Sequence, residues 1–176
     1  DKNYLNINKA RKKINKNLKK NYYYSEREWP YKDVVPKILV EKYMEDNDTK
    51  ELRDYKFFCF NGEPQIMFIA KDRGKHQTKF NFYDMNYNLL EIKQHYPNEV
   101  DEIKKPINFE QMKELAKKLS SGIPHVRVDF YEINGKIYFG EMTFYHFGGF
   151  VPFEPEKWDY KIGKMLDIKK YMGDIK

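Results

Sequence analysis

Two Asn-Gly pairs, each between runs of mostly apolar residues, constrain the fold of this chain more than any other feature. The first pair, at 61–62, separates DYKFFCF (54–60) from PQIMFIAKDR (64–73). The second pair, at 134–135, lies inside the stretch VRVDFYEINGKIYFGEMTF (126–144). Asn-Gly between β-rich runs is a strong short-range signal for a β-hairpin. The sequence therefore predicts two antiparallel hairpins.

Other segments extend this pattern. KILVEKYM (37–44) and KFNFYD (79–84) are short β-rich runs and are predicted strands. NFEQMKELAKKLSSG (108–122) has apolar residues at helical spacing, which predicts a helix. Asn108 can cap its start, with Gln111 three positions later, and Gly122 is predicted to end it. PEKWDYKIGKMLDI (155–168) predicts a last helix. The fold class is therefore α+β, an antiparallel sheet with flanking helices.

Length and composition exclude several classes of protein. A chain of 176 residues suits one domain with a real core, and an aromatic share of 17% argues against disorder. The sequence has no apolar run of transmembrane length and no signal-peptide core, so no transmembrane segment is predicted. Its one cysteine, Cys59, has no partner for an internal disulfide, which fits a reducing cytoplasm.

Most of the excess positive charge lies at the start of the chain. Residues 1–20 carry eight basic side chains and one acidic one, a net +7, so the remaining residues together carry −1 of the total +6. Within this run Ile7, Ala10, Ile14 and Leu18 recur at roughly helical spacing. We predict a helix with a solvated lysine face rather than a nucleic-acid or membrane surface. The expected organisation is a leader helix and linker over 1–30 and the main domain over 31–176.

The 126–144 hairpin is unusual because it carries charged residues among apolar ones. Parity along each strand decides which of them share a face. A two-residue loop at Asn134-Gly135 would set Asp129 opposite Gly140 and turn Glu141 to the other face.

A three-residue loop, Ile133 to Gly135, would instead set Arg127 opposite Glu141 and bring Asp129 and Thr143 to the same face. The opposite face would then be almost wholly apolar, with Val126, Val128, Phe130, Tyr138, Met142 and Phe144. We predict the three-residue loop because it separates polar from apolar residues better.

Two carboxylates and a guanidinium on one patch of sheet allow two interpretations. The first is an ordinary ion-pair cluster. The second is a Mg²⁺ site, since Mg²⁺ typically takes one or two protein carboxylates together with phosphate oxygens and water. In that case Asp129 and Glu141 bind the metal, and Arg127 neutralises phosphate or a developing oxyanion. The spacing alone leaves both open.

The hairpin resembles the metal-binding hairpin of ATP-grasp enzymes, and the similarity continues upstream. The sequence is most similar to the TupA-like ATP-grasp family of cell-envelope polysaccharide loci. Its motifs E-K-Y, D-Y-K-F-F-x-F-N-G, R-V-D and F-G-E-x-T-F are present here at Glu41, 54–62, 127–129 and 139–144. The resemblance covers roughly residues 20–170.

This resemblance implies a role for each matching residue. Glu41 would hold the adenine amino group, with backbone groups of Lys42 and Met44 completing the contact, and Asp54 would meet the ribose. The remaining roles fall to the phosphate-facing Lys56 and Arg73, to Arg127 as the group that stabilises transferring charge, and to Asp129 and Glu141 as Mg²⁺ ligands. Without the family, Glu41 and Asp54 are interpreted as solvated strand ends and Lys56 as a surface lysine.

The implied activity is ATP- and Mg²⁺-dependent ligation of a carboxylate to an amine through an acyl-phosphate. The expected partners are a nucleotide and a carboxylate-bearing sugar or amino acid, in a bacterial cytoplasmic enzyme of capsule or envelope synthesis, near the inner membrane face. Two alternatives stay open: a polysaccharide-locus transferase or kinase, and a degenerate lobe that serves as a binding module.

The sequence departs from the pattern of ATP-grasp enzymes at several places. Thr143 stands where ligases of the D-alanine–D-alanine type carry a metal-binding Asn, and their phosphate lysine after the FYD strand has no clear counterpart at 86–88. Nothing before Glu41 is rich in glycine, so the first ATP-grasp lobe is expected to lie outside this chain. His146, in the loop YHFGGF (145–150), is interpreted as incidental or as a substrate contact.

Overall fold

The computed structural model describes residues 2–73 and 77–172, and the chain divides into two compact units, Asp1–Tyr43 and Met44–Lys176. The first unit contains helices α1 (Ile7–Asn17) and α2 (Tyr23–Glu26). The Asn6 side chain caps α1 by accepting a hydrogen bond from the Lys9 N–H at 2.9 Å. The helix predicted in the basic leader is confirmed, whereas a domain boundary near residue 30 stays a prediction.

The strand predicted over 37–44 is wrong. These residues, all in the described part of the chain, form neither helix nor strand. The first unit has no strand among its described residues, so the segment has no ladder partner there. The β-branched and aromatic side chains that suggested a strand, such as Val40 and Tyr43, are exposed.

The second unit is built on one antiparallel sheet of six strands in the order β4-β3-β2-β1-β5-β6. The strands are β1 (Asp54–Phe60), β2 (Glu63–Lys71), β3 (Lys79–Asp84), β4 (Leu89–Leu90), β5 (His125–Ile133) and β6 (Lys136–Thr143). The helices are α3 (Phe109–Ser120) and α4 (Lys157–Gly163). The α+β fold class is confirmed. Within the described residues, no helix is long and apolar enough to cross a membrane.

Both Asn-Gly pairs form two-residue turns. Phe60 pairs with Glu63 across the first turn, and Ile133 pairs with Lys136 across the second. All four turn residues have φ between 50° and 83°, as a type I′ turn requires. The two hairpins are confirmed, and the three-residue loop predicted for the second is wrong.

Helix α3 lies where the sequence predicts it, but its N-terminus is capped differently. The side-chain amide of Asn108 donates to Glu132 Oε1 at 2.7 Å and to the Gly135 carbonyl at 2.9 Å, and the side chain makes no cap hydrogen bond. The Glu132 carboxylate instead accepts the backbone N–H groups of Ile107 and Asn108. The predicted capping box with Gln111 is therefore wrong, because the β5–β6 turn engages the Asn108 amide.

The two faces of the sheet bury different sets of side chains. One face, here called the α3 face, packs against Phe109, Met112 and Ala116 of that helix. The other, the site face, is apolar towards α4, where Trp158 and Ile162 pack. The α3 face carries Tyr55, Phe57, Cys59, Met67, Ile69, Tyr83, Val126, Val128 and Phe130, and the site face carries Phe58, Phe60, Ile66, Phe68, Ala70, Phe80 and Phe82.

A bulge in β6 decides which residues share the site face. The pairing runs Phe130 with Phe139 near the turn and Val128 with Met142 beyond it, so the register shifts by one residue opposite Asp129. The extra residue changes the parity of β6 and turns Glu141 to the side of Arg127 and Asp129.

Arg127, Asp129 and Glu141 thus share a face as predicted, through a mid-strand bulge rather than a longer loop. Two details of the prediction change with it. Arg127 lies opposite Thr143 instead of Glu141. Tyr138 lies opposite Tyr131, which places it on the site face instead of the apolar one.

Gly140 permits this bulge because the backbones of β5 and β6 approach closely there. A Cβ at this position would lie 3.1 Å from the Asp129 carbonyl oxygen and 3.3 Å from Tyr131 Cε2. We expect Gly140→Ala to lower the free energy of unfolding by about 1–3 kcal/mol through overpacking. Chemical denaturation measures this change.

Gly163, the last residue of α4, is the matched control. A Cβ there would meet nothing within 4 Å, so Gly163→Ala should be neutral or stabilising by up to about 1 kcal/mol. Equal effects of the two substitutions would contradict the close approach at Gly140.

Candidate active site

Six charged side chains meet on the site face and form what is called here the charged cluster. Its members come from β1, from the end of the β2 hairpin, and from β5 and β6: Asp54, Lys56, Arg73, Arg127, Asp129 and Glu141. Three are cationic and three are carboxylates, so their formal charges cancel. Every member is a residue to which the sequence analysis assigned a role at the site.

Asp129 lies at the centre of the cluster and is 1% exposed. Its Oδ1 accepts from Arg127 Nε at 2.7 Å, and its Oδ2 accepts from Arg127 Nη2 at 2.8 Å. Lys56 Nζ also donates to Oδ2. This bidentate arginine contact together with a lysine fixes the carboxylate, because charge-assisted bonds are the strongest of their kind.

Asp54 joins the other two cations. Its Oδ1 lies 3.0 Å from Lys56 Nζ, and its Oδ2 accepts from Arg73 Nη1 at 2.7 Å. Asp54 is 2% exposed. Lys56 lies two residues after Asp54 on β1, so both side chains point to the same face of the sheet. Its ammonium group therefore bridges Asp54 and Asp129.

Arg73 lies two residues after the end of β2, and its side chain reaches the cluster from there. Burial opposes its charge, but the hydrogen bond that Arg73 donates to Asp54 and the negative charges of Asp54 and Glu141 raise the pKa of Arg73 above its ordinary value. Its side chain is 55% exposed, so part of the guanidinium faces solvent.

Glu141 is the accessible carboxylate. Its side chain is 61% exposed, and its Oε1 accepts from Arg127 Nη2 at 2.7 Å and from Thr143 Oγ1 at 3.1 Å. Among the described residues, Glu141 Oε2 has no hydrogen-bond partner. Thr143 Oγ1 also accepts from Arg127 Nη2 at 2.8 Å, so it orients both groups.

His146 contacts the cluster from the loop after β6. Its Nδ1 lies 2.6 Å from Arg127 Nη1, and its Nε2 lies 2.7 Å from Gln94 Oε1. The imidazole packs edge-on against Phe58, with ring centroids 5.0 Å apart. Burial and then the charge of Arg127 lower the pKa of His146 to about 2, so the ring is neutral at physiological pH.

His146 was interpreted from the sequence as incidental or as a substrate contact, and Gln94 was not singled out at all. A histidine in a loop gave no signal of its own, and Gln94 lies 52 residues from His146 in the chain. Gln94 is 1% exposed and its amide donates to the Val151 carbonyl at 2.9 Å. A buried glutamine with both ends bonded is visible only in three dimensions.

The residues expected to hold adenine lie elsewhere in the chain. Glu41 and Lys42 are exposed residues of the first unit, and Met44 is a partly buried residue at the start of the second. Their roles in adenine binding stay predictions, and so does the contact of Asp54 with ribose.

Comparison with known families identifies the group of proteins to which this site belongs. The sequence matches the family described as TupA-like ATPgrasp over residues 1–167. The chain belongs to the TupA-like ATP-grasp family. This membership indicates an enzyme of the ATP-grasp ligase type, a class that generally uses ATP and Mg²⁺. No curated protein and no solved structure matches the sequence.

Because ATP-grasp enzymes generally use Mg²⁺, the oxygen atoms of the charged cluster are compared with the ligands that this ion takes. Over residues 2–73 and 77–172, no group of three or more His, Cys, Asp or Glu side chains is arranged to hold a metal ion. Two carboxylates with phosphate oxygens and water are nevertheless enough for Mg²⁺. Glu141 Oε2 is unpaired among the described residues, and Asp129 Oδ1 accepts one hydrogen bond, so each side chain retains a lone pair for the ion.

Proposed function

We propose that this protein is an ATP- and Mg²⁺-dependent ligase that joins a carboxylate to an amine, through an acyl-phosphate, in cell-envelope polysaccharide synthesis. Asp129 and Glu141 would hold Mg²⁺, which would supply positive charge that neutralises the phosphate groups. Membership of the TupA-like ATP-grasp family supports the ligase class. The role in polysaccharide synthesis is proposed in addition to that.

The observation that carries the proposal is the charge balance of the cluster. Three cations are held on one sheet face by three carboxylates, in a position where cations alone would repel one another. Such an arrangement holds positive groups in place before a polyanion binds. Phosphoryl transfer is catalysed mainly by positioning and by preorganised positive charge of this kind.

Each cation keeps a donor available for a phosphate oxygen. Lys56 uses two of its three hydrogens on Asp54 and Asp129. Arg127 Nη1 has one bond, to His146, and Arg73 has one bond, to Asp54, among the described residues. The remaining N–H groups are the ones we assign to the triphosphate and the transferred phosphoryl group.

The proposed reaction has two steps. In the first, a carboxylate oxygen of the substrate attacks the γ-phosphorus and ADP leaves, giving an acyl-phosphate. In the second, an amine attacks the acyl carbon, the C–O bond to phosphate breaks, and the amine loses a proton. The protein positions the reactants and stabilises the negative charge of both transition states.

Trapping of the acyl-phosphate tests this function. The full-length protein is incubated with Mg²⁺, ATP and uronic or amino acids, with hydroxylamine in place of the natural amine. We expect ADP, phosphate and a hydroxamate in equal amounts, and none of them without the carboxylic acid.

Other outcomes would contradict the proposal and favour an alternative. A phosphorylated product without hydroxamate would indicate a kinase. ATP binding with no ADP formed from any carboxylic acid or sugar tested would indicate a binding module.

A further inference from the structure

We propose that His146 is a positioning residue that fixes the guanidinium plane of Arg127, and that Gln94 fixes His146 in turn. This inference rests on the proposed function, because it assigns the remaining Nη1–H of Arg127 as a donor to the transferred phosphoryl group. It concerns side chains to which neither the sequence motifs nor the family match gives a role.

The hydrogen-bond chemistry determines the tautomer of His146. A guanidinium has only donors, so the contact of 2.6 Å with Arg127 Nη1 requires His146 Nδ1 to be an acceptor. The proton of the neutral ring is then on Nε2, which donates to Gln94 Oε1 at 2.7 Å. The side-chain amide of Gln94 donates to the Val151 carbonyl, so its Oε1 is the end that faces His146. The donor and acceptor in each bond from Val151 to Arg127 are therefore fixed.

His146 holds the terminal nitrogen of the guanidinium that its three other partners leave unbound. Asp129 binds Nε and Nη2, and Glu141 and Thr143 also bind Nη2, so the carboxylate side of Arg127 is fully used. Nη1 is held by His146 alone among the described residues. Because the group is planar, fixing one Nη1–H fixes the direction of the other, which has no protein partner in the described part of the chain.

The loop that carries His146 has a backbone suited to this task. Phe147, Gly148 and Gly149 follow with φ of 48°, 63° and 78°, three left-handed residues in a row. A phenylalanine in this region is uncommon and persists only when its surroundings hold it there. Its ring packs against His146 at 4.4 Å and His95 at 5.2 Å between centroids, which anchors the turn.

The site face also provides a matched control. His125 stacks on Phe60, with centroids 4.4 Å apart, and its Nδ1 lies 3.0 Å from the Cys59 carbonyl. It is a partly buried histidine like His146 but makes no hydrogen bond to Arg127. Replacing either histidine with leucine removes an aromatic ring from the same face, and only one replacement removes a partner of Arg127.

The test combines ¹⁵N NMR of the side chains with ATP turnover in the full-length protein. In the wild type we expect His146 to be protonated on Nε2 only, and the Arg127 guanidinium to rotate slowly. His146→Leu should speed that rotation and lower Mg²⁺-dependent ATP turnover by up to about 100-fold, the effect that a misplacement of about 1 Å can have. His146→Asn, whose Oδ1 can replace Nδ1 as acceptor, should restore slow rotation and most of the turnover. His125→Leu should change neither.

The two readouts separate this inference from the function on which it rests. Absence of ATP turnover in the wild type would contradict the proposed function, while the NMR spectra would still decide whether His146 holds Arg127. A proton on Nδ1 of His146, or unchanged Arg127 rotation in His146→Leu, would overturn the positioning role. Loss of turnover in His146→Leu with no recovery in His146→Asn would overturn it as well, because lost packing alone would then explain the effect.

Discussion

Asp129→Ala is expected to lower the free energy of unfolding by about 3–5 kcal/mol, the usual cost of removing one partner from a buried ion pair. The substitution leaves two buried cations, Lys56 and Arg127, without their shared carboxylate. Such a loss is a large part of the 5–15 kcal/mol that typically stabilises a domain. Urea denaturation followed by circular dichroism measures it.

Glu141→Ala is the matched control, because it removes a carboxylate from the same arginine. Its side chain is 61% exposed, and Arg127 keeps both bonds to Asp129. We expect a loss of about 1 kcal/mol or less, as for exposed ion pairs. Similar losses in the two variants would show that Asp129 is not the buried centre of the cluster.

A second substitution identifies the cause of the instability. If unpaired charge destabilises Asp129→Ala, then adding Lys56→Met should recover part of the lost free energy. The effects of the two substitutions would then be non-additive, as expected for groups in direct contact. Additive losses would assign the instability to the cavity left by Asp129 instead.

The parts of the fold that obey local rules were predictable from the sequence. Both Asn-Gly turns form, since their left-handed φ values are a property of the turn residues themselves. The runs at 54–60 and 79–84 became strands with the predicted ends. Alternation along β1 then correctly placed Asp54 and Lys56 on one face, so much of the cluster followed from strand parity.

What failed depends on contacts between distant residues. The predicted loop at Ile133 was wrong because the extra residue of β6 could be placed anywhere along the strand, and the close approach at Gly140 placed it opposite Asp129. The segment 37–44 has strand-forming residues, but a strand also needs a partner. Likewise, the bond between Gln94 and His146 joins loops whose meeting no local pattern encodes.

The structure also makes Glu141 a better probe of the metal than Asp129. Both carboxylates were predicted Mg²⁺ ligands, but loss of Asp129 changes stability and charge together. Glu141 is exposed and contributes little to the buried part of the cluster. Glu141→Gln keeps the size of the side chain, and its amide oxygen can still accept from Arg127 Nη2, so the fold should be unaffected.

We expect Glu141→Gln to weaken Mg²⁺-dependent ATP binding by at least the roughly 10- to 100-fold that loss of a supporting residue costs at a metal site. The physical reason is the loss of one anionic ligand from a site that supplies only two, where Mg²⁺ requires near-ideal octahedral coordination. Isothermal titration calorimetry of the full-length protein with ATP measures the effect, in Mg²⁺ and again in EDTA. The variant should bind ATP more weakly than the wild type in Mg²⁺, but equally well or better in EDTA, because without the ion Glu141 only repels the triphosphate.

Glu63→Gln is the control for this experiment. Glu63 is an exposed glutamate at the β1–β2 turn, and it pairs with Lys117 of α3 at 2.7 Å rather than with the cluster. Its loss removes the same charge from the protein but leaves the candidate ligands in place. ATP affinity in Mg²⁺ that stays at the wild-type value in Glu141→Gln would rule out Glu141 as a ligand, and the cluster would then hold the nucleotide through its cations alone. An equal loss of ATP affinity in Glu63→Gln would instead assign the effect to the change in net charge. A metal ligand affects ATP binding by direct contact with the ion, whereas a distant charge affects it only through an electrostatic field that salt screens.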